Sequence, residues 1–270
     1  MKRFLFVMMS VLFLSVAGGQ AFAQDNLETA AAKIEKKVST ILKGLGKTIS
    51  CSAGEMSKTM PDDHAQIRKI LQQNWKSGSP HVIDSAFIDK KGIMKLIEPD
   101  IYSQYEGSDI SGQEAVIRMM KTKKQRMRNL FLSVEGIKSV DIEYPVFSDK
   151  KQFLGSVSML IKPDEVIGVV AAPIEKELGV KCWVMQKDGV ILYETDETQI
   201  GLNIFTDPRY KNYPELIALG KRMIKEKDGQ GFYSFQAQGT KNIVRKKACW
   251  KTIHFFNNDW IVVAYKEAKQ

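Results

Sequence analysis

Residues 183–210 read WVMQKDGVILYETDETQIGLNIFTDPRY and contain the clearest strand and turn signals of the chain. The run 181–186 predicts a strand, Lys187-Asp188-Gly189 a tight turn, and 190–194 the return strand. A helix is predicted over 213–227. Three further strands are predicted at 231–237, 242–255 and 260–265. The order is therefore strand, strand, helix, strand, strand, strand.

The same order is predicted upstream. Residues 81–88 and 93–97 read as two strands around the turn at 89–92, and residues 102–112 read as a loop. A strongly basic helix is predicted over 113–128. Three more strands follow at 129–134, 139–147 and 153–162, and a linker with a short helix occupies 163–178. Repetition of one supersecondary unit indicates two related modules.

The N-terminus predicts export. Lys2 and Arg3 precede an apolar run over 4–16, and Ala21-Phe22-Ala23 forms a small-residue cleavage site. Residues 1–23 therefore read as a signal peptide that is cleaved near Ala23, which predicts a periplasmic or secreted protein. The alternative is an uncleaved anchor helix. No later stretch reaches the ~18 uninterrupted apolar residues of a membrane span.

A long N-terminal helix follows, within a segment assigned to 24–62. Its apolar residues recur at helical spacing over 26–56. They are Leu27, Ala31, Ile34, Val38, Ile41 and Leu45. This stripe either packs on the helix's own domain or forms a homodimeric coiled coil. Gly44 and Gly46 allow close packing or a bend. The predicted modules then occupy 63–165, which opens with a second helix at about 63–76, and 166–270.

Composition supports a folded protein and excludes several classes. Apolar residues make up 44% of the 270, which suffices for a core. The formal net charge of +9 favours anionic ligands or surfaces, but no nucleic-acid-binding signature accompanies it. The three histidines are scattered, and no metal spacing, nucleophile elbow or phosphate loop is present. We therefore expect no metal, no cofactor, no nucleic-acid partner and no enzymatic activity.

Several short motifs occur in the order seen in one family. They are Pro145-Val146-Phe147 followed by 153–157, Asp188-Gly189, 193–196, Ile200-Gly201-Leu202-Asn203, 229–235, and Lys246 or Lys247 with Trp250. The chain thereby resembles a double Cache domain, the extracellular ligand-binding module of many chemoreceptors and histidine kinases, over nearly all of its mature length. The resemblance implies an α+β fold, in which a long N-terminal helix lies along two PAS-like modules. Each module has a central antiparallel sheet.

The sequence departs from this family in two respects. Family members usually continue into a transmembrane helix and a cytoplasmic output, whereas this sequence stops at Gln270. The aromatic, arginine and tryptophan set of the amino-acid-binding subgroup has no counterpart near 113–135. We therefore expect a separate membrane partner, a receptor or histidine kinase, and do not assume an amino-acid ligand.

The PAS-like strand order 2-1-5-4-3 makes a prediction about two cysteines. Cys182 on the first strand and Cys249 on the fourth would flank the fifth strand. Two strand spacings separate them by ~9–10 Å, whereas a disulfide requires Cα atoms within ~7 Å. No Cys182–Cys249 disulfide is expected.

The resemblance places small ligands in the cup between sheet and helix, more often in the first module. Candidate ligand-binding residues are Tyr105, Arg126, Arg128, Phe131, Ser133, Asp141 and Tyr144. An arginine would clamp a carboxylate or phosphate, and Asp141 would receive an amine. Asp141 and Tyr144 have opposite strand parity, so at most one faces the cup. The alternatives are a solvated basic helix face and a strand-edge aspartate.

The second module offers a weaker set, which equally fits ordinary core and turn residues. Its members are Trp183, Tyr193, Asp196, Tyr210, Tyr213, Tyr233 and Trp250. Asp196 reads as a cap for the turn before Ile200. The favoured function is an exported sensory protein, active in signal transduction or chemotaxis, that binds a small molecule and acts through a membrane partner. The alternative is a periplasmic binding or scavenging protein associated with a transporter.

Overall fold

The computed structural model describes residues 25–59, 63–78 and 80–268, so the predicted signal peptide lies outside the described residues. The helices are α1 Asn26–Met56, α2 His64–Gly78, α3 Glu114–Thr122, α4 Pro163–Leu178 and α5 Pro214–Met223. The strands of the first module are β1 Val82–Asp89, β2 Met94–Glu98, β3 Arg126–Met127, β4 Phe131–Leu132, β5 Lys138–Phe147 and β6 Phe153–Ile161. Those of the second are β7 Lys181–Gln186, β8 Ile191–Tyr193, β9 Asp228–Gln236, β10 Ile243–Phe255 and β11 Asn258–Glu267. None of these described helices combines the length and apolar character that a membrane crossing requires.

Two antiparallel sheets with one topology confirm the predicted α+β fold. The first has the order β2-β1-β6-β5-β3, with β4 paired to β5, and the second has β8-β7-β11-β10-β9. Each is the order 2-1-5-4-3. Ala264 on β11 pairs with Cys182 on one side and Cys249 on the other. Both thiols are free, as the strand order predicts.

Helix α1 supplies the core that both sheets share. Asp25 caps it by accepting a hydrogen bond from the Leu27 amide at 3.2 Å. The apolar face packs against β5 and β6 of the first sheet and β10 and β11 of the second. Its buried apolar members are Leu27, Ala30, Ala31, Ile34, Val38, Leu42, Leu45, Ile49, Ala53 and Met56. The helix therefore packs on its own chain, and a homodimer would have to use another surface.

Two glycines permit close approach where the structure requires it. A Cβ on Gly46 would lie 2.8 Å from the Phe255 ring, so the glycine lets α1 pack on β10. Gly44 has no such neighbour. Gly155 has a φ of +146°, and a Cβ there would collide with the Ile88 carbonyl oxygen of β1. This close approach and the positive φ explain why the motif that follows Pro145 has a glycine at position 155.

The predicted elements differ from the structure mainly between 100 and 134. Residues Asp100–Tyr105 form a 3-10 helix that overlaps the start of the loop predicted over 102–112. The basic helix predicted to 128 ends at Thr122, because Lys123 adopts a left-handed conformation with φ 51°. Arg126 and Met127 instead pair with Glu143 and Ile142 of β5. The strand predicted over 129–134 is reduced to Phe131–Leu132. Like charges crowded along the predicted helix oppose its continuation.

The predicted module boundary at 165/166 falls in the first turn of α4, which connects the two sheets. Pro163 occupies the start of this helix, with Asp164 and Glu165 in its first turn. Gly179 ends it in a left-handed conformation. A continuous helix thus joins the modules where the sequence predicts a linker and a short helix.

Buried polar side chains join four elements behind the first sheet. Asn74 of α2 bonds to Ser52 of α1, and its Nδ2 donates to Ser85 Oγ of β1 at 3.2 Å. Ser85 Oγ in turn donates to the Ser158 carbonyl of β6 at 2.8 Å. Asn74 is 1% exposed, so water cannot replace these partners.

We expect Asn74→Ala to lower the free energy of unfolding by about 1–3 kcal/mol, because Ser52 and Ser85 lose a buried partner. Gln73→Ala, at the exposed neighbouring position, is the matched control and should change it by less than about 0.5 kcal/mol. Urea unfolding followed by circular dichroism measures both. Equal stability of the two variants would contradict the structural role of Asn74.

Candidate functional site

The front face of the first sheet carries two rows of polar side chains. Asp84 of β1 pairs with Leu160 of β6, which pairs with Asp141 of β5. Two residues further along β5, Glu143 pairs with Ser158 and with Arg126. Because side chains alternate along a strand, Asp141 and Glu143 face the same side, away from α1. Helix α3 and the segment 128–135 cover this face.

Four carboxylates meet here, and each has an oxygen that is buried without a hydrogen-bond partner. These atoms are Asp84 Oδ2, Glu135 Oε2, Asp141 Oδ1 and Glu143 Oε2. Part of Asp141 remains accessible, but its Oδ1 does not. The other oxygen of Glu143 accepts from Ser156 Oγ at 2.7 Å. Buried acceptors without partners are rare in folded proteins.

Burial sets the protonation behaviour of this cluster. Desolvation raises the pKa of Asp84 well above its ordinary value, and the neighbouring Glu135 and Asp141 raise it further. Desolvation likewise raises the pKa of Asp141, against the lowering effect of Arg128 and Arg126. For Glu143, burial and the charge of Asp141 both raise the pKa. No group of three or more side chains that could hold a metal ion occurs among the described residues.

Two arginines line or support the same site. Arg128 lies with its guanidinium 3.6 Å from the centre of the Phe131 ring, and its Nη1 donates to Gln113 at 3.0 Å. Arg126 is 8% exposed, donates to the Ala115 carbonyl at 3.0 Å and keeps its Nε buried without a partner. The lysines at 121, 123 and 124 are exposed. In the basic run, the lysines are thus solvated, whereas the two arginines point inward.

The structure brings together some predicted site residues and not others. Arg128, Phe131, Ser133 and Asp141 line one cavity, and Arg126 lies beside it. Tyr105 packs in a neighbouring apolar cluster with Ile97 and Val116, outside the lining. Tyr144 lies on the opposite face of β5 and meets Phe256 edge to face. The parity argument is thus confirmed, and Tyr105 and Tyr144 do not line the cavity.

The cavity itself is small. Its volume is about 50 Å³, which holds a few water molecules. The cavity is closed on the α3 side by Ile110, Gln113, Ala115 and Val116, and on a second side by residues 131–135. A ligand can enter only if part of this wall moves outward.

Sequence reasoning missed three of the carboxylates. Asp84 lies in the run Val82-Ile83-Asp84-Ser85-Ala86, where one acid among apolar residues was the available signal. Glu143 shares the parity of Asp141, so it could have been found from the same argument. Glu135 follows a strand that is shorter than predicted and had no pattern to mark it.

The second-module candidates also divide into residues that line a cavity and residues that do not. Trp183, Asp196, Tyr210 and Tyr233 line a separate cavity in front of the second sheet. Tyr193 faces the α1 side, and Tyr213 packs edge to face on Phe235 with centroids 4.5 Å apart. Trp250 is fully buried in the apolar cluster of this module, outside the lining. Asp196 caps the turn Glu197–Gln199 by accepting from the Thr198 amide, as its position predicts.

One family model matches the first part of the chain. Residues 40–163 match the family model described as the HK/GC/Chemotaxis protein-like sensor domain. Domains of this family bind ligands and are not themselves catalytic. No match was found among curated proteins.

Solved structures share the fold over most of the chain. An extracellular ligand binding receptor from Desulfohalobium retbaense has a TM-score of 0.75 at 24% identity. The match covers 90% of this chain and 40% of that one, so this chain spans well under half the length of that receptor. The ligand-binding domain of the Pseudomonas aeruginosa amino-acid chemoreceptor PctC, in complex with GABA, has a TM-score of 0.64 at 13% identity; the match covers 88% of this chain and 97% of that one. The ligand-binding domain of the Pseudomonas fluorescens chemoreceptor CtaA, in complex with L-serine, has a TM-score of 0.65 at 14% identity. That match covers 89% of this chain and 95% of the CtaA domain.

Structures of this kind are extracellular or periplasmic sensor domains of chemoreceptors and kinases. They match the fold described above, two modules behind a long N-terminal helix, over about nine-tenths of this chain. The chain therefore has the double Cache fold of extracellular sensor domains, and its first module matches the HK/GC/chemotaxis-type sensor family.

Proposed function

We propose that this chain is an exported sensory protein whose first module binds a small molecule carrying a cationic amine, and that it signals through a membrane receptor or histidine kinase. One observation carries the proposal: four carboxylates converge on the first-module cavity, each with a buried oxygen that lacks a hydrogen-bond partner. Buried acceptors of this kind are stabilised by a donor that arrives with a ligand.

The charge of the lining favours an amine over the simple anion that the basic run predicts. Asp84, Asp141 and Glu143 provide acceptors for an ammonium group. Arg128 is the neighbouring cation and would pair with an anionic group on the same molecule. GABA and L-serine, bound by PctC and CtaA, each carry an ammonium and a carboxylate. A ligand with both groups would satisfy both halves of this cavity.

The wall of the first-module cavity is hydrogen-bonded to the second module. Asn257, in the turn between β10 and β11, accepts from the Met127 amide at 3.0 Å and donates to the Met127 carbonyl at 3.3 Å. Gln186 accepts from the Leu130 amide at 2.6 Å. Arg128 and Phe131 of the lining lie in this same segment. Outward movement of the wall on ligand entry would therefore pull on the second module.

Ligand binding is testable with residues 24–270 in a thermal-shift screen of primary amines, amino acids, polyamines and organic acids. We expect an amine-bearing compound to raise the melting temperature by several degrees, since ligand at ~1,000 times its Kd adds about 4 kcal/mol. Asp141→Asn should weaken binding of this ligand at least tenfold (about 1.4 kcal/mol or more), because one counter-charge is lost.

Asp149→Asn is the matched control, because Asp149 is exposed in the turn after β5. It should bind like the unmodified protein. A ligand that carries no amine and is lost in Arg128→Ala but retained in Asp141→Asn would overturn the amine assignment.

The contribution of the three buried carboxyls to stability should fall as pH rises from about 4 toward neutrality. The pKa values of Asp84, Asp141 and Glu143 are raised in the folded state above the ordinary ~4 of an unfolded chain. In this interval the folded protein therefore binds more protons than the unfolded chain does. Each carboxyl lowers the free energy of unfolding by at most about 1.4 kcal/mol per pH unit. Urea unfolding of the ligand-free protein and of Asp141→Asn should show a smaller loss in the variant. Identical pH profiles would contradict burial of Asp141.

The link between modules is testable by hydrogen exchange. Asn257→Ala removes the acceptor of the Met127 amide, so that amide should exchange up to about tenfold faster. Asn242→Ala, in the exposed hairpin after β9, should leave it unchanged. Unaltered protection of Met127 in Asn257→Ala would show that the turn does not hold the cavity wall.

A further inference from the structure

The larger cavity of this protein lies in the second module, in front of β7, β9, β10 and β11. Its volume is about 630 Å³, within the range of small-molecule sites. Aromatic side chains provide much of its lining: Trp183, Tyr210, Tyr233, Phe235 and Tyr265. No residue of this cavity lines the first-module cavity.

One cation lies deep in this aromatic lining. Lys246 on β10 is 3% exposed and forms no salt bridge or side-chain hydrogen bond among the described residues. Its Nζ lies 4.6 Å from the centre of the Tyr265 ring and 5.3 Å from that of Phe235. The ring faces stabilise an ammonium only partly, and a buried charge is costly until it is paired. Desolvation accordingly lowers the pKa of Lys246.

The next residue shows what an ordinary lysine does on this strand. Lys247 points to the opposite face of β10 and pairs with Asp25 at 2.5 Å, next to the start of α1. Lys246 forms no salt bridge among the described residues, although Glu194 lines the same cavity and the charges of Glu194 and Glu267 raise the pKa of Lys246 against the larger effect of desolvation. Lys241 also lines the cavity but is exposed. Lys246 therefore provides the buried positive charge of this cavity for an anionic group of a ligand.

The mouth of the cavity is bridged by two segments. The hairpin between β9 and β10 lies on one side, and the segment after β8 on the other. Gln238 Nε2 donates to Thr195 Oγ1 across the gap at 3.2 Å. Below it, Tyr210 and Phe235 stack with centroids 6.0 Å apart and an interplanar angle of 25°. A flat ring entering here would meet parallel aromatic faces.

We propose that the second-module cavity is a separate binding site for a small aromatic carboxylate, whose carboxylate pairs with Lys246 while its ring lies among Tyr210, Tyr233 and Phe235. The carboxylate supplies the acceptor that the ammonium lacks. The aromatic ring of the ligand displaces water from the aromatic side chains of the cavity and stacks on them. The site differs in chemistry from the carboxylate-rich first cavity, so the two modules would recognise different molecules.

The test uses residues 24–270 and benzoate as the probe, with binding measured by isothermal titration calorimetry at neutral pH. Benzoate should bind saturably. Benzamide, which keeps the ring and loses the charge, should bind at least tenfold more weakly. Cyclohexanecarboxylate, which keeps the charge and loses the aromatic face, should also be weaker. Benzylamine should not bind at this site.

Lys246→Met should reduce benzoate affinity at least tenfold while the protein stays folded, because removal of an unpaired buried charge does not destabilise the core. Lys246→Gln serves the same purpose if the methionine variant does not fold. Lys247→Met is the matched control: it removes the same charge from the other face of the strand and should bind benzoate normally.

The outcomes separate this site from the first-module proposal. Loss of benzoate binding in Lys246→Met but not in Asp141→Asn supports the second-module site. The proposal is overturned if benzoate does not bind, if Lys246→Met binds it as well as the unmodified protein, or if benzamide binds equally well. None of these results changes the expectation for amines in the first module.

Discussion

The burial of one helix face against two sheets holds this molecule together. Between Leu27 and Met56, α1 places its apolar residues into a single core that includes Val140 and Met159 of the first sheet and Ile253 and Val262 of the second. Helix α2 also packs on β1 and β2, and α4 on β7 and β8, but α1 contacts both sheets. Burial of apolar area is the dominant favourable term in folding, so both sheets depend on this helix. Independent unfolding of one module would expose part of the core of the other.

This arrangement determines where ligands can bind. Because side chains alternate along a strand, each sheet that buries one face on α1 presents the other to a cup. The first cup closes over Asp84, Asp141 and Glu143, and the second over Trp183, Tyr233 and Lys246. The shared helix and the Asn257 contacts at Met127 connect the two modules. A sensory role requires such a connection, because occupancy of one site has to alter a distant surface.

The sequence predicts much of this fold, partly from periodic patterns and partly from its resemblance to PAS-like modules. That resemblance supplies the strand order and, with it, the free Cys182 and Cys249. Alternation along the strand supplies the opposite facing of Asp141 and Tyr144. The segment 123–135 could not be predicted in the same way. Its basic residues fit a helix, but Met127 and Leu130 are held by Asn257 and Gln186, which lie far away in sequence. Tertiary hydrogen bonds of this kind override local propensity.

The chemistry of the two cups was harder to predict than their position, because strand patterns do not separate buried charges from solvated ones. Asp84 looks like an interruption of an apolar strand, and Lys246 looks like half of an exposed Lys-Lys pair. In the structure, Asp84 keeps one carboxylate oxygen buried without a hydrogen-bond partner, and Lys246 is buried without a salt bridge among the described residues. A chain selected for stability alone would replace such groups with apolar residues, since buried charges rarely add net stability. The two proposed ligands, one with an ammonium group for the acidic first cup and one with a carboxylate for Lys246 in the second, would each supply the missing charge.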